Sequence, residues 1–151
     1  MTVDFVLKKS PSIRLAAIRW KGPYDERKIQ QQFEAVEKWA RARGLRTGRW
    51  IFREPDSRVW DTGIEVRGAA HSEGRVKVRT LPAGHVASVL FDPDVVSPRV
   101  VYHGLSDWLR WRRKEKEIRS VVSYREIYAG NPWKDKRAWS RTEVQFVVRK
   151  K

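Results

Sequence analysis

The spacing of apolar residues alternates along the chain between a period of two and a period of three to four. Short apolar-rich runs bounded by Gly, Pro, Asp or Ser are typical of β-strands. They predict strands at residues 3–7, 13–20, 49–53, 59–66, 76–81, 85–91, 123–128 and 142–148. Apolar residues three or four positions apart predict two helices. The first contains Ile29, Phe33, Val36 and Ala40, and the second contains Val101, Leu105, Trp108 and Leu109.

The ends of both predicted helices carry residues that helix ends favour. Asp25 is suited to cap the first helix, and Gly44 stands where a C-terminal glycine belongs. Ser97 is a suitable N-cap for the second helix, with Pro98 at its first position. The helices are therefore expected to begin directly after Asp25 and Ser97.

The order strand, strand, helix, strand, strand occurs twice, over roughly residues 1–70 and 71–151. Phe33 matches Tyr102, and Trp39 matches Trp108, both at an offset of 69 residues. Each half is too small to bury its own sheet, whereas two halves side by side join their strands and place both helices on one face. The chain is therefore predicted to be one α+β domain, residues 1–151, of duplicated β-β-α-β-β halves with a pseudo-twofold antiparallel sheet. The other sheet face then needs a cover or a ligand.

The last strands of the two halves contain candidate site residues. Strand alternation places Tyr124, Glu126 and Tyr128 on one face. The repeat puts Trp50 opposite Glu126 by pseudo-symmetry, and Phe52 opposite Tyr128. This predicts an aromatic pocket that holds one carboxylate. An ionised glutamate there suits a flat cationic ligand, whereas a glutamate that exchanges protons suits acid–base catalysis. The alternative is that Glu126 pairs with a neighbouring arginine on an exposed sheet face.

The amino-acid composition gives the chain a strong positive charge. The 151 residues contain 33 Lys and Arg against 18 Asp and Glu, a formal charge of +15, which invites a nucleic-acid or acidic partner. The excess is spread over both halves, although five arginines cluster near the first helix end and six basic residues lie within residues 110–119. The first cluster is Arg41, Arg43, Arg46, Arg49 and Arg53. If the helices lie side by side, the two clusters form one basic face, but the duplicated domain leaves no room for a helix-turn-helix, so specific nucleic-acid binding is not favoured.

Several classes of protein are excluded or disfavoured. The absence of cysteine rules out disulfides, Cys-ligated zinc, iron–sulfur clusters and cysteine catalysis. His71, His85 and His103 lack metal-ligand spacing, so no metal is expected. No cofactor is expected either, because the sequence contains no phosphate loop, dinucleotide fingerprint or nucleophile elbow. No apolar run approaches the roughly 18–20 residues of a membrane span, and no secretory signal is evident, which leads us to expect a cytoplasmic protein.

Five segments in order resemble GyrI-like, or AraC-type effector-binding, small-molecule-binding domains. They are residues 16–24, 81–84, 102–108, 126–132 and 142–144. The resemblance implies a ligand cleft on the pseudo-twofold axis, with Glu126 and the Tyr102 hydroxyl directed into it. Relatives include drug-sensing domains of transcription regulators, gyrase inhibitors and hydrolases of cyclopropane-bearing toxins. The chain departs from the pattern where many relatives have a second Gly-Pro-Tyr, because it has Asp92, Pro93 and Asp94 there.

These observations favour a stand-alone multidrug-type protein that senses or sequesters planar or amphipathic small molecules. The expected ligand-binding residues are Glu126, Tyr128, Tyr124, Trp50, Phe52, Tyr102 and Trp20. One alternative is a hydrolase that opens strained electrophilic rings with Glu126 and Tyr102 as its catalytic residues. A second alternative is an interaction protein whose basic surface inhibits a DNA-processing enzyme such as gyrase.

Overall fold

The computed structural model describes residues 3–151, so the first two residues of the predicted domain lie outside it. The prediction of an α+β fold with duplicated halves is confirmed: the described residues form one eight-stranded antiparallel sheet and three helices. The strands are β1 (Phe5–Ser10), β2 (Ile13–Lys21), β3 (Arg46–Asp56), β4 (Val59–Arg67), β5 (Val76–Leu81), β6 (Gly84–Phe91), β7 (Ile118–Tyr128) and β8 (Thr142–Lys150). The helices are α1 (Glu26–Ala42), α2 (Pro98–Lys114) and the short α3 (Lys136–Ser140).

The two halves join through β3 and β7, which lie at the centre of the strand order β1-β6-β8-β7-β3-β4-β2-β5. Ile51 pairs with Ile127 at the middle of this seam, and Phe52 pairs with Glu126. The residue opposite Trp50 is therefore Tyr128, not Glu126 as the repeat suggested. The reason is geometric, because a twofold axis between antiparallel strands sets equivalent residues diagonally rather than face to face. Trp50, Phe52, Glu126 and Tyr128 still lie on one face of the sheet, as expected.

The first strand of each half pairs with the other half. β1 pairs with β6, and β5 pairs with β2, although only two residues separate β1 from β2 and β5 from β6. A connection of this length spans at most about 11 Å. The sheet must therefore curl until its two edges approach each other, and Arg125 on β7 accordingly reaches Ser10 on β1 with a 2.9 Å hydrogen bond.

This curl encloses a small core on the face away from the helices. Its buried members are Ile13, Leu15, Ala17, Ile51, Leu81 and Ile127. The sequence left this face in need of a cover or a ligand. The sheet itself supplies the cover, so the opposite, helix-bearing face is the one available for a site.

Each long helix packs on its own half of the sheet. The buried residues of α1 are Ile29, Phe33, Val36 and Ala40, and those of α2 are Val101, Leu105 and Leu109. The Asp25 side chain accepts a 3.1 Å hydrogen bond from the Lys28 amide, as expected of an N-cap. Ser97 precedes α2, but its side chain makes no capping hydrogen bond. Of the two residues expected to favour this helix start, only Pro98 therefore acts as expected.

The two basic clusters do not form one face. α1 leads into the first residue of β3, and α2 leads into the first residue of β7. Because β3 and β7 are antiparallel neighbours, these two ends lie at opposite ends of the sheet. Arg43, Arg49, Arg53 and Arg112 are also engaged in ion pairs with carboxylates. Among residues 3–151, no helix combines the length and apolar character that crossing a membrane requires.

Candidate functional site

The site is a cavity of about 130 Å³ on the helix-bearing face, above the seam between β3 and β7. Both halves contribute to its walls, as a cleft on the pseudo-twofold axis requires. The first half provides Tyr24, Glu26, Ile29, Phe33 and Phe52. The second half provides Phe91, Pro93, Pro98, Tyr102, Tyr124, Glu126, Tyr128, Pro132, Trp133, Trp139, Thr142 and Val144.

Glu126 lies at the floor of the cavity between two tyrosines of its own strand. Since alternate residues of β7 share a face, both phenols lie beside the carboxylate. The Tyr124 hydroxyl donates a 2.5 Å hydrogen bond to Oε1, and the Tyr128 hydroxyl donates a 2.7 Å bond to Oε2. Burial, and then the nearby charge of Glu126, raise the pKa of both phenols well above the usual value. The phenols therefore stay neutral donors that hold the carboxylate in place.

Tyr24 extends the same cluster from the loop after β2. Gly22 adopts a φ of 138°, and its carbonyl accepts a 2.9 Å hydrogen bond from Trp60 Nε1, which holds the loop against β4. The Tyr24 ring meets Phe52 and Trp60 edge-on, with centroids 6.1 Å apart in each pair. Burial, followed by the charge of Glu126, raises the Tyr24 pKa to about 12.

Tyr102 and Tyr124 form one side wall, and Phe146 packs behind them. Tyr102 on α2, Tyr124 on β7 and Phe146 on β8 have centroid separations of 5.4 to 5.8 Å. Tyr102 is 44% exposed, so its ring is held by this contact rather than by burial in the core. The implied orientation of Tyr102 towards the cleft agrees with its place in the wall.

The rim consists of the segment around α3 and the loop before α2. Trp133 packs its ring against Phe33 at 5.8 Å, and Trp139 Nε1 donates a 3.0 Å hydrogen bond to Asp94 Oδ1. Asp94 belongs to the stretch that replaces the second Gly-Pro-Tyr. The replacement therefore gives the loop an acceptor that ties it to α3 and closes that side of the cavity.

The cavity differs in charge from the rest of the protein. Its lining contains two carboxylates, Glu26 and Glu126, and no Lys, Arg or His. Within residues 3–151 neither carboxylate forms an ion pair. The alternative of an arginine partner for Glu126 is therefore wrong, because its partners are phenols. The same range holds no group of three His, Cys, Asp or Glu side chains arranged to bind a metal ion.

Five of the seven residues expected in the site line the cavity, and two do not. Glu126, Tyr124, Tyr128, Phe52 and Tyr102 line it. Trp50 is 4% exposed and stacks beneath Phe33 at 5.0 Å. Trp20 is 7% exposed and lies behind Trp60, where its Nε1 donates to Thr62 Oγ1. Both tryptophans point to the expected face but are covered by α1, so the structure places them behind the cavity rather than in its lining.

The sequence reasoning missed further lining residues. Tyr24 carried a signal, because it stands in a Gly-Pro-Tyr turn that sets the ring over the cleft. Phe33 belongs to the apolar stripe of α1, a pattern that predicts a core position and no contact with a cavity. Glu26 directly follows the capping Asp25, a place that indicates only the first turn of α1. Trp139 lies in α3, a segment for which the sequence predicted neither a strand nor a helix.

Comparisons with known proteins agree with this architecture. The family model for the GyrI-like small molecule binding domain matches residues 4–149. The C-terminal domain of EcmrR is 20% identical over 100% of both chains, with a TM-score of 0.77. SAV2435 bound to tetraphenylphosphonium is 13% identical over 97% of this chain and 94% of its own, with a TM-score of 0.52. A hydrolase from Listeria innocua is 12% identical over 96% of this chain and 91% of its own, with a TM-score of 0.57. These structural likenesses establish a shared fold. No curated protein matches the chain.

Proposed function

The chain belongs to the GyrI-like family of small-molecule-binding domains, and we propose that it binds lipophilic aromatic cations in the cleft centred on Glu126. The observation that carries the proposal is the charge of the cleft. A protein with 33 basic and 18 acidic residues excludes every basic side chain from this lining, and within residues 3–151 the two carboxylates there form no ion pair. A cationic ligand would satisfy the carboxylate that the protein itself leaves without a counter-ion.

The walls suit the rest of such a ligand. Phe33, Phe52, Tyr102 and Trp133 present aromatic surface to the cavity. Aromatic faces attract cations by about 0.5–2 kcal/mol per contact and also pack well against aromatic ligands. That SAV2435 is bound to tetraphenylphosphonium adds support, since this ligand is an aromatic cation.

A bulky ligand requires the rim to move. The cavity of about 130 Å³ is smaller than the roughly 300–1,000 Å³ of typical sites for drug-sized ligands. The side chain at the mouth that moves most readily is Trp133, because it is 36% exposed and rests on one ring contact with Phe33, whereas Trp139 also packs against the core. Rim opening on binding would let the domain sense a ligand as well as sequester it.

The test compares tetraphenylphosphonium with tetraphenylborate, which has the same shape and the opposite charge, by isothermal titration calorimetry. Two charges about 5 Å apart attract by roughly 3 kcal/mol at an effective dielectric constant of 20, before the costs of desolvation. We therefore expect Glu126→Gln to raise the Kd of tetraphenylphosphonium by about tenfold or more. Glu34→Gln is the matched control, because Glu34 is an exposed residue of α1.

The outcomes separate the cleft from the overall charge. The net charge of +15 attracts tetraphenylborate to the whole surface, so weak borate binding that salt abolishes is compatible with the proposal. Tetraphenylphosphonium binding that is equal in wild type and Glu126→Gln contradicts it. Preference of the wild type for borate at physiological salt contradicts it as well.

The two alternatives gain less support from the structure. Glu126 and Tyr102 line one cavity, as ring opening would need, yet both carboxylate oxygens already accept phenol hydrogen bonds. This arrangement favours holding a cation over removing a proton. Mass spectrometry of a cyclopropane-bearing alkylator incubated with wild type and Glu126→Gln tests the hydrolase directly. The hypothesis that the protein inhibits a DNA-processing enzyme depends on a single basic face. The two basic clusters do not form one, because they lie at opposite ends of the sheet.

A further inference from the structure

A groove of about 310 Å³ adjoins the cleft on the side of the β3–β4 turn. Its walls come from that turn, from the first part of β7, and from the aromatic wall of the cleft. Tyr102 and Tyr124 line both the groove and the cavity. The two spaces are therefore neighbours that share one aromatic partition, and a ligand that displaces the partly exposed Tyr102 ring passes from one to the other.

Two exposed valines lie on the floor of the groove. Val121 is 40% exposed, Val122 is 46% exposed, and both line the groove beside Tyr102. The cause is a register shift, because Val121 pairs with Val148 and Ser123 pairs with Val147, which leaves Val122 without a partner on β8. Such a bulge re-aims side chains. Here it presents two consecutive valines to the groove, and clustered exposed apolar residues mark binding surfaces.

The far wall of the groove is negatively charged. Glu54 and Asp56 line it, and no Lys, Arg or His does. The Glu54 carboxylate accepts a hydrogen bond from the Arg58 backbone amide, and the Asp56 carboxylate accepts one from the Ser57 amide. These bonds fix both carboxylates in the turn. In the part of the chain that the structure covers, neither carboxylate has a cationic side-chain partner.

The two carboxylate sites are a short distance apart. Glu54 pairs with Tyr124 across the seam, and Phe52 pairs with Glu126, so Glu54 is the diagonal neighbour of Glu126. Diagonal neighbours lie about 7–8 Å apart. A second groove at the other mouth of the cleft is lined by Arg27 as well as Asp25 and Glu26, so its carboxylates share the wall with a basic side chain.

We propose that the groove is a second subsite, which receives the cationic end of an elongated ligand whose aromatic cationic head occupies the cleft. The substrate class is thus narrowed to dicationic amphiphiles with an apolar chain between the charges. The inference rests on the proposed function, because it needs the head group to bind at Glu126. The valines contact the chain, and the turn carboxylates hold the distal charge.

The experiment uses two ligands with the same triphenylphosphonium head and the same short alkyl chain. One chain ends in trimethylammonium, and the other ends in tert-butyl, which has the same shape without the charge. Isothermal titration calorimetry measures both Kd values for the wild type, Glu54→Gln/Asp56→Asn, Glu126→Gln and Glu34→Gln. The glutamine and asparagine side chains keep an acceptor for the turn amides, so the double variant should fold, and thermal unfolding checks this.

We expect the dication to bind the wild type about fivefold more tightly than the monocation, which corresponds to one partly exposed ion pair. The double variant should bring this ratio to about one and leave the monocation Kd unchanged. In the control Glu34→Gln, both the ratio and the monocation Kd should stay as in the wild type. A ratio that is equal in wild type and double variant overturns the subsite alone, provided that Glu126→Gln weakens the monocation. Monocation binding that is unaffected by Glu126→Gln, or no binding of either ligand to the wild type, overturns the proposed function and the subsite with it.

Discussion

Replacement of Asp61 by asparagine tests whether the charged network behind the cleft stabilises the fold. Asp61 is fully buried on β4, on the sheet face opposite the cavity. Its Oδ1 accepts a 2.8 Å hydrogen bond from Arg19 Nε, and its Oδ2 accepts 2.9 and 2.6 Å bonds from Arg19 Nη2 and Arg53 Nη1. The network joins β2, β4 and β3, the strands that carry Trp60 and Phe52 on their other face.

The magnitude follows from what the substitution leaves behind. Asp61→Asn keeps the size of the side chain but leaves two guanidinium groups without their counter-ion. Breaking a buried pair from one side costs about 3–5 kcal/mol. The Arg19 side chain is 39% exposed and the Arg53 side chain is 15% exposed, so both can be partly rehydrated. We therefore expect the lower end, about 3 kcal/mol, out of a total stability of roughly 5–15 kcal/mol.

The same network predicts how the stability of the fold changes at acidic pH. Burial by itself raises the pKa of Asp61, but the hydrogen bonds and charges of Arg19 and Arg53 outweigh burial and hold the pKa below its usual value. A lowered pKa in the folded state means that its stabilising effect is present above the unfolded-state pKa of about 3.9 and is lost as the pH falls further. The wild type should therefore lose stability below about pH 4 more steeply than Asp61→Asn does.

Urea unfolding followed by circular dichroism measures both effects. With a slope of about 1–3 kcal/mol per molar urea, a loss of about 3 kcal/mol lowers the midpoint by about 1–3 M. Asp107→Asn is the control, because Asp107 pairs with Arg110 at 3.8 Å with both side chains mostly exposed, and such pairs contribute little. A cost below about 1 kcal/mol for Asp61→Asn, or parallel acid profiles for variant and wild type, would refute the reasoning.

Two further predictions concern the sheet and the cleft. Gly63→Ala should destabilise the protein by more than the roughly 1–3 kcal/mol of ordinary overpacking, because the new Cβ would lie 2.4 Å from the Ala16 carbonyl oxygen. Chemical denaturation measures this loss of stability, and a loss under about 1 kcal/mol contradicts the prediction. The cleft phenols with raised pKa values are Tyr24, Tyr124 and Tyr128. Their unfolded forms ionise near pH 10 while the folded forms do not, so the melting temperature should fall as the pH rises above about 10. The fall should be shallower in Glu126→Gln, because the charge of Glu126 contributes to the shifts, and identical alkaline profiles would contradict this.

Local pattern was a good guide where backbone geometry alone decides. The period of two placed Tyr124, Glu126 and Tyr128 on one face, because successive strand residues point to opposite sides. The helical period identified Ile29, Phe33 and the other buried residues of both long helices. The residue types at the helix ends located the starts of α1 and α2. The repeat predicted that the two halves join their strands into one sheet, and the structure places the join between β3 and β7.

The same reasoning failed where distant segments compete for one place. Trp50 was expected to line the cavity and Phe33 to belong to the core, but the outcome depends on which ring α1 covers. Trp50 stacks beneath Phe33, and Phe33 lines the cavity. The start of β7 was missed because its basic residues and bulges hide the alternation. α3 was missed because five residues show no helical period.

The sequence by itself therefore determined the order of the eight strands and two long helices, the duplication, the faces of the strands and the central carboxylate, since each follows from local patterns along the backbone. Only the tertiary structure decided that β1 and β5 exchange halves, that the curled sheet covers its own back, and that the turn residues Glu54 and Asp56 lie beside the cleft. It also decided that a protein with a charge of +15 keeps its cavity free of basic side chains. These features depend on strand pairing and burial between residues far apart in the chain, and no local period encodes them.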